Sequence, residues 1–182
     1  FGLVHIETAK IIEDKLQKAR PDDEQLARAQ EAYKAGKLVD PHLVDGWIIE
    51  RIRELASQKN PLIFSGSFRT LHEAGEETPV VEELYGKEDI AVVFIELSEE
   101  ESIKRNSTRR VCKANNHPIP NFPEYADLKT CPKDGSEIIT RILDNAETIK
   151  VRYQTFLKET KPALDYFTKR GYAVVRVNGE QS

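Results

Sequence analysis

Residues 90–110 read IAVVFIELSEEESIKRNSTRR, and this stretch decides the fold class. From Ile90 to Leu97 the apolar residues run on without strict alternation, the pattern of a strand buried on both faces. Ser98 and Glu101 then form a capping box, which predicts a helix running through Arg109. Outward from this strand-helix unit, Leu3 to Ile6, Leu62 to Phe64 and Ala173 to Val177 are further apolar runs of the same kind. Helical patterns lie between them. Asp40-Pro41 supplies an N-cap and a first-turn proline, and Leu43, Val44, Trp47, Ile48, Ile52 and Leu55 follow at helical spacing. Another helix is expected from Ile138 to Lys158, Pro162 starts a further one, and Gly171 sits where a C-terminal cap belongs. Strands alternating with helices predict an α/β fold with a parallel sheet covered on both faces.

The composition fits one such globular domain with room for inserted lobes. The 182 residues carry 27 Lys+Arg against 31 Asp+Glu, a formal charge of -4. No apolar run approaches the roughly 20 residues that span a bilayer, and FGLVHIETAK lacks the basic head of a signal peptide. Mild acidity argues against a surface dedicated to nucleic acid. Two cysteines exclude a disulfide-dense scaffold. The absence of methionine, and a last segment that stops just after a strand-like run, predict a fragment lacking elements at both termini.

Two segments interrupt the regularity. Residues 7–57 hold three successive helical stretches with no strand between them. Residues 111–137 contain four prolines, several asparagines and both cysteines, without sustained periodicity. Each reads as a lobe, leaving 1–6, 58–110 and 138–182 as the core.

The segments HIET, GKLVDPHLV, SGSFRT, SEEESIKRNSTRRVC, CPKDGSEIITR, ETIKVRYQTFLKETKPALDYF and VNGEQS occur in one order along nearly the whole chain. This pattern resembles adenylate kinases of the long-lid type. The resemblance implies a P-loop NTPase-like parallel sheet flanked by helices, with a helical NMP-binding lobe at 7–57 and a lid at 111–137. It also implies phosphoryl transfer from ATP with Mg2+ to a nucleoside monophosphate, AMP first, by a cytoplasmic monomer with no nucleic-acid or membrane partner. The family's glycine-rich phosphate loop, GxxxxGK[ST], is not in this sequence, so the chain as given is expected to transfer phosphate poorly. The family's final helix is missing too.

A phosphoryl group in transfer spreads negative charge over its oxygens, and planar arginines grip two such oxygens at once. Arg105 and Arg109, at i, i+4, are expected on one helix face before the irregular lobe, with Arg141 just after it and Arg152 three turns further along. By resemblance these four are the phosphate-clamping and transition-state arginines. The alternative is a set of solvated arginines paired with Glu100, Glu101 or Asp144. Arg110 reads as structural. By resemblance Arg69 grips the acceptor phosphate beside Gly66, and Thr8 with the backbone of Gly36, Lys37, Leu38 and Val39 contacts the acceptor nucleoside. Gln181 joins the nucleotide contacts.

Departures from the family pattern cluster on the acceptor side. Ser65 stands where an aspartate orders the Mg2+ hydration shell, Lys10 replaces an acidic residue, Glu13 replaces an arginine, and Glu73 replaces a glutamine that contacts adenine. They predict a rewired acceptor site, or a non-catalytic nucleotide-binding relative. In zinc-bearing relatives the lid holds four ligands where Cys112, Asn115, Cys131 and Asp134 stand here. With His117 in place of Asn115, the set Cys112, His117, Cys131 and Asp134 suits tetrahedral Zn2+. A metal-free lobe with two reduced cysteines, or a disulfide, are the alternatives. A zinc-ribbon-like nucleic-acid module at 111–137 lacks the basic and aromatic surface for that role. His5 is expected as a packed strand-end residue, His42 and His72 at the surface or as caps, and Trp47 in the core.

Overall fold

The computed structural model describes residues 2–18, 23–34, 39–141 and 144–181. Its elements run β1 (Val4–Glu7), α1 (Thr8–Gln17), α2 (Glu24–Lys34), α3 (Pro41–Ser57), β2 (Leu62–Ser65), α4 (Leu71–Tyr85), β3 (Val92–Glu96), α5 (Glu99–Ser107), β4 (Arg110–Cys112), β5 (Pro118–Ile119), β6 (Ile138–Thr140), α6 (Ala146–Thr155), α7 (Lys161–Lys169) and β7 (Val174–Asn178). Two compact units emerge, Phe1–Val92 with Glu159–Val174, and Val93–Lys158 with Val175–Ser182. No helix among the described residues is long and apolar enough to cross a membrane.

In the first unit β1 pairs in parallel with β2, in the register Val4↔Leu62 to Glu7↔Ser65. Parallel neighbours need a crossover, and α1 to α3 supply it. The Asp40 side chain accepts from the His42 N–H at 2.9 Å and Pro41 occupies the first turn, which fixes the start of α3. The expected helical stripe then packs: Trp47, Ile48, Ile52 and Leu55 are buried. Ile6, Ile48, Ile52, Leu55 and Val81 form one core, and Leu16, Ala29, Val39 and Trp47 another. Ala74, Ala163, Phe167 and Tyr172 join α4 to α7. Gly171 follows α7 with φ +81°, the left-handed cap position where glycine carries no Cβ penalty.

In the second unit β3 lies beside β7, and β5-β4-β6 form a three-stranded antiparallel sheet. Several expectations change. The strands are not buried on both faces: Val93 and Ile95 are exposed while Val92, Phe94 and Glu96 are half-buried, so β3 presents one covered and one open face, and β7 is exposed from Val175 to Asn178. α5 stops at Ser107 rather than Arg109, because the Ser107 and Thr108 hydroxyls turn back onto the Ile103 and Lys104 carbonyls and compete with the helix ladder. Arg105 and Arg109 therefore do not share a helix face. The helix expected from Ile138 begins at Ala146 instead. β-Branched Ile138, Ile139 and Thr140 pair with β4, and the Asn145 side chain caps α6 through the Thr148 N–H at 2.9 Å. Arg141 and Arg152 are thus not on one continuous helix. After α6 the turns widen into a π segment, Phe156–Thr160, before α7.

Candidate functional site

In the first unit the loop after β2 carries Gly66 and Arg69. Gly66 has φ +88° and Phe68 φ +57°, left-handed values, so the loop turns sharply directly after β2. Phe68 is held there by edge-to-face contact with Phe64 at 5.0 Å. The Thr8 hydroxyl, opening α1, meets the Ser67 hydroxyl at 3.0 Å. Thr70 caps α4 by accepting from the Glu73 N–H at 3.1 Å, and Glu73 Oε2 accepts from the Arg69 N–H at 2.7 Å. Glu73, expected at the acceptor base, thus ties down the loop that bears exposed Arg69. Val39 is buried against Trp47, while Gly36, Lys37 and Leu38 lie outside the described residues.

The substituted acceptor-side residues bond to one another. His5 is exposed rather than packed, because its strand position faces outward: Nε2 lies 2.6 Å from Ser65 Oγ and Nδ1 lies 3.3 Å from Glu7 Oε1. Lys10 donates to the same Glu7 oxygen at 2.7 Å, which holds that carboxyl below its usual range. Glu13 accepts from the Tyr33 hydroxyl at 2.9 Å.

Among the second unit's arginines, Asp144 is the organising residue. It is buried, and Arg109 donates to it twice, Nε to Oδ2 at 2.9 Å and Nη2 to Oδ1 at 2.7 Å. Arg152 Nη1 lies 3.9 Å from the same Oδ1, and the Asp144 N–H donates to the Arg141 carbonyl at 3.0 Å. Arg109 and Arg152 therefore gather on one carboxylate, while the Arg141 carbonyl holds the Asp144 backbone. Arg105 does not join them and donates to Glu101 at 2.7 Å. Arg110 spends its guanidinium on the carbonyls of Tyr125, Ala126 and Leu128, a structural role as expected. Gln181 is exposed. Asp144 was visible in the sequence only as a possible arginine partner; its place directly before the helix-capping Asn145 was the available signal.

The small sheet encloses a four-residue cluster. One ligand atom each from Cys112, His117, Cys131 and Asp134 lies within 4.8 Å of the others. Two turns present them: the Asn116 N–H donates to the Cys112 carbonyl at 3.0 Å, and the Gly135 N–H to the Cys131 carbonyl at 2.8 Å. Asn116 and Gly135 both take positive φ, 53° and 71°, to close these turns. Asn115, in the place of a ligand, donates to Asp134 Oδ2 at 2.8 Å. That bond, with others from Ser136, holds the Asp134 carboxyl far below its usual range. Both cysteines are buried free thiols rather than a disulfide.

With Glu76, Glu77 reads in the sequence as a solvated charge run, and the structure overturns that reading for Glu77. It is fully buried on α4, and among the described residues neither carboxylate oxygen has a hydrogen bond of good geometry. Burial pushes its carboxyl up to about 8, with Glu73 and Asp45 acting the same way.

No family model matches the chain. Curated relatives do. It is 32% identical over 190 residues to a protein named adenylate kinase from Petrotoga mobilis, covering 100% of this chain and 81% of that protein. It is 30% identical over 185 residues to an adenylate kinase from Bacillus subtilis, with 100% and 81% covered. An adenylate kinase from Caldanaerobacter subterraneus subsp. tengcongensis is 33% identical over 185 residues, with 100% and 80% covered.

Proposed function

The chain belongs to the adenylate kinase family, and from that premise we propose that it serves reversible phosphoryl transfer between ATP and AMP, with Arg69, Arg109, Arg141 and Arg152 as the catalytic cations. The observation that carries this reading is the pairing of Arg109 and Arg152 on Asp144. Two guanidinium groups share one buried carboxylate, so the cluster keeps a net positive charge and its geometry is set before any ligand arrives. Preorganised cations of this kind stabilise charge that develops on transferring oxygens without reorganising at the moment of reaction. Arg105 and Gln181 complete the nucleotide contacts of the second unit. Thr8, Gly66, Val39 and residues 36–38 serve the acceptor. In this reading residues 7–57 are the acceptor lobe, 111–137 the lid, and the protein is a cytoplasmic monomer.

Mg2+ enters with ATP as part of the substrate and neutralises phosphate charge. Ser65 is engaged with His5 and carries no charge, so it does not fit the aspartate's role toward that ion, and no step is assigned to the ion through this residue. Zn2+ fits the lid cluster better: two thiol sulfurs, an imidazole Nδ1 and an ionised carboxylate converge on one point. There Cys112, His117, Cys131 and Asp134 would hold it, and it would stiffen a lobe with little core of its own.

The bonds among Ser65, His5, Glu7 and Lys10, together with Glu13 and Glu73, favour a second reading in which the acceptor base differs from adenine or transfer is lost. A coupled assay on the full-length protein with ATP and AMP, CMP, UMP or GMP tests both. Turnover with AMP supports the first reading. Turnover with another acceptor only, or nucleotide binding without turnover, overturns it. Because the 182 residues lack the GxxxxGK[ST] loop, the chain alone is proposed to transfer slowly.

A further inference from the structure

A different set of side chains meets at the first turns of α3 and α4. His42 and Asp45 stand at i, i+3 on α3 and so share a face. His72 lies in the first turn of α4, set there by the Thr70 cap. One ligand atom from each of His42, Asp45 and His72 lies within 4.8 Å of the others. His72 Nε2 is 2.9 Å from Asp45 Oδ2, and the two imidazole rings meet edge to face at 4.8 Å.

Asp45 is the unusual member. It is only 4% exposed, on a helix face otherwise used by Ile48 and Ile52 for the core. Its Oδ2 faces the His72 ring, yet among the described residues no N–H donates to it along a good hydrogen-bonding line. A withdrawn carboxylate oxygen left in this state is costly. The His72 ring offsets part of this negative charge, and the nearby carboxylates of Glu73 and Glu76 add to it. A cation placed between the oxygen and the two imidazoles removes the penalty.

We propose that His42, Asp45 and His72 form a transition-metal site, taking Zn2+ or another borderline divalent cation and stapling α3 to α4. Two imidazole nitrogens with one carboxylate oxygen suit Zn2+, Co2+, Ni2+ or Cu2+; Ca2+ and Mg2+ prefer all-oxygen shells. Tetrahedral Zn2+ with bonds of about 2.0–2.2 Å holds ligand atoms about 3.3–3.6 Å apart. The present ligand atoms, 2.9 Å apart for His72 and Asp45 and all within 4.8 Å, bracket that spacing. Three protein ligands leave a fourth position for water. The staple would fix the start of α4, three residues after Arg69. This site is separate from the cysteine cluster and does not depend on the kinase reading.

The test removes the cysteine cluster and counts metal. Chelator-treated Cys112→Ser/Cys131→Ser protein is titrated with Co2+ and then Zn2+ against a chromophoric competitor. One equivalent is expected, with cobalt d–d bands and no thiolate-to-cobalt charge transfer. Removing a partner that merely orients a ligand costs about 10- to 100-fold in affinity, so His42→Gln and His72→Gln, each removing a ligand itself, are expected to weaken binding by at least that much. Circular dichroism of each variant should match the parent. If the double-serine protein does not fold, the parent is titrated instead, and His72→Gln must remove one equivalent while leaving any thiolate band intact. No N/O-ligated equivalent in the protein that folds, or histidine variants that bind as tightly as their parent, overturns the site.

Discussion

Around Asp144 a buried carboxylate is met by Arg109 in two hydrogen bonds and by Arg152 at 3.9 Å, whereas around Glu77 a carboxylate that is fully buried has other carboxylates, Glu73 and Asp45, among its neighbours. The side chains are chemically alike, and both are withdrawn from water. The partners decide the outcome. Cations on both sides turn Asp144 into a fixed anchor for guanidinium groups; burial, with like charges adding to it, leaves Glu77 to hold a proton instead. The first arrangement suits a site for polyanions, and the second leaves a region that gains from taking up protons or metal.

The sharpest way to break the contrast is at Arg109. Arg109→Ala is expected to lower kcat by at least about 100- to 1000-fold in the coupled assay on the full-length protein, the scale of losing a preorganised charge-stabilising group. A variant as fast as the parent removes its assigned role. Asp144→Asn keeps the shape of the anchor and removes its charge. Breaking a buried pair from one side costs about 3–5 kcal/mol, and less where one partner is partly exposed, as Arg109 is, so a loss of about 2–3 kcal/mol is expected in urea unfolding.

On the other side of the comparison, Glu77→Gln is expected to stabilise the protein, and by an amount that depends on pH. The ordinary value for Glu77 is 4.5 and the folded value about 8. Between them the native state holds a proton that the unfolded chain has lost, so the parent loses stability as pH rises through this window and levels off above it. The glutamine variant lacks that loss. Its advantage should be near zero at pH 4 and about 1–3 kcal/mol at pH 8.5, since each tenfold difference in proton affinity between the folded and unfolded chain is worth about 1.4 kcal/mol before the site relaxes. Equal advantage at both pH values would show that Glu77 is not protonated in the fold. Chelation, or Cys131→Ser, should release zinc from the purified protein and lower its Tm; zinc absent from the parent ends the lid assignment. The smallest effect is expected at Glu101→Gln, because its pairs with Lys104 and Arg105 lie at the surface. A change under about 0.5 kcal/mol should result.

Much of the fold was legible where local chemistry decides it. Asp40-Pro41 and Ser98 set helix starts by bonds within a few residues, and Gly171 marks an end that only a residue tolerant of positive φ closes well. The misread boundaries depend on distant partners. Ile138 to Thr140 carry an apolar pattern that suits a helix or a strand, and pairing with Arg110 to Cys112 decides it. The stop at Ser107 depends on hydroxyls folding back, a choice that spacing does not reveal. At the candidate site the arginines announced themselves by type and position. Their organiser did not, because an aspartate before a helix cap looks like any other until burial and two guanidinium groups are seen together. Glu77 and Asp45 were hidden for the related reason that nothing in a sequence distinguishes a solvated acid from a buried one on the same helix.

The capping of α5 shows one of these long-range dependences in a form that an experiment can follow. The Ser98 hydroxyl accepts from the Glu101 N–H, as a capping box requires, but the reciprocal bond to the Ser98 N–H comes from Glu180 at 2.8 Å. One backbone proton thus senses whether a segment 82 positions away is seated. Its exchange rate in heavy water gives a label-free gauge of how often the end of β7 lets go.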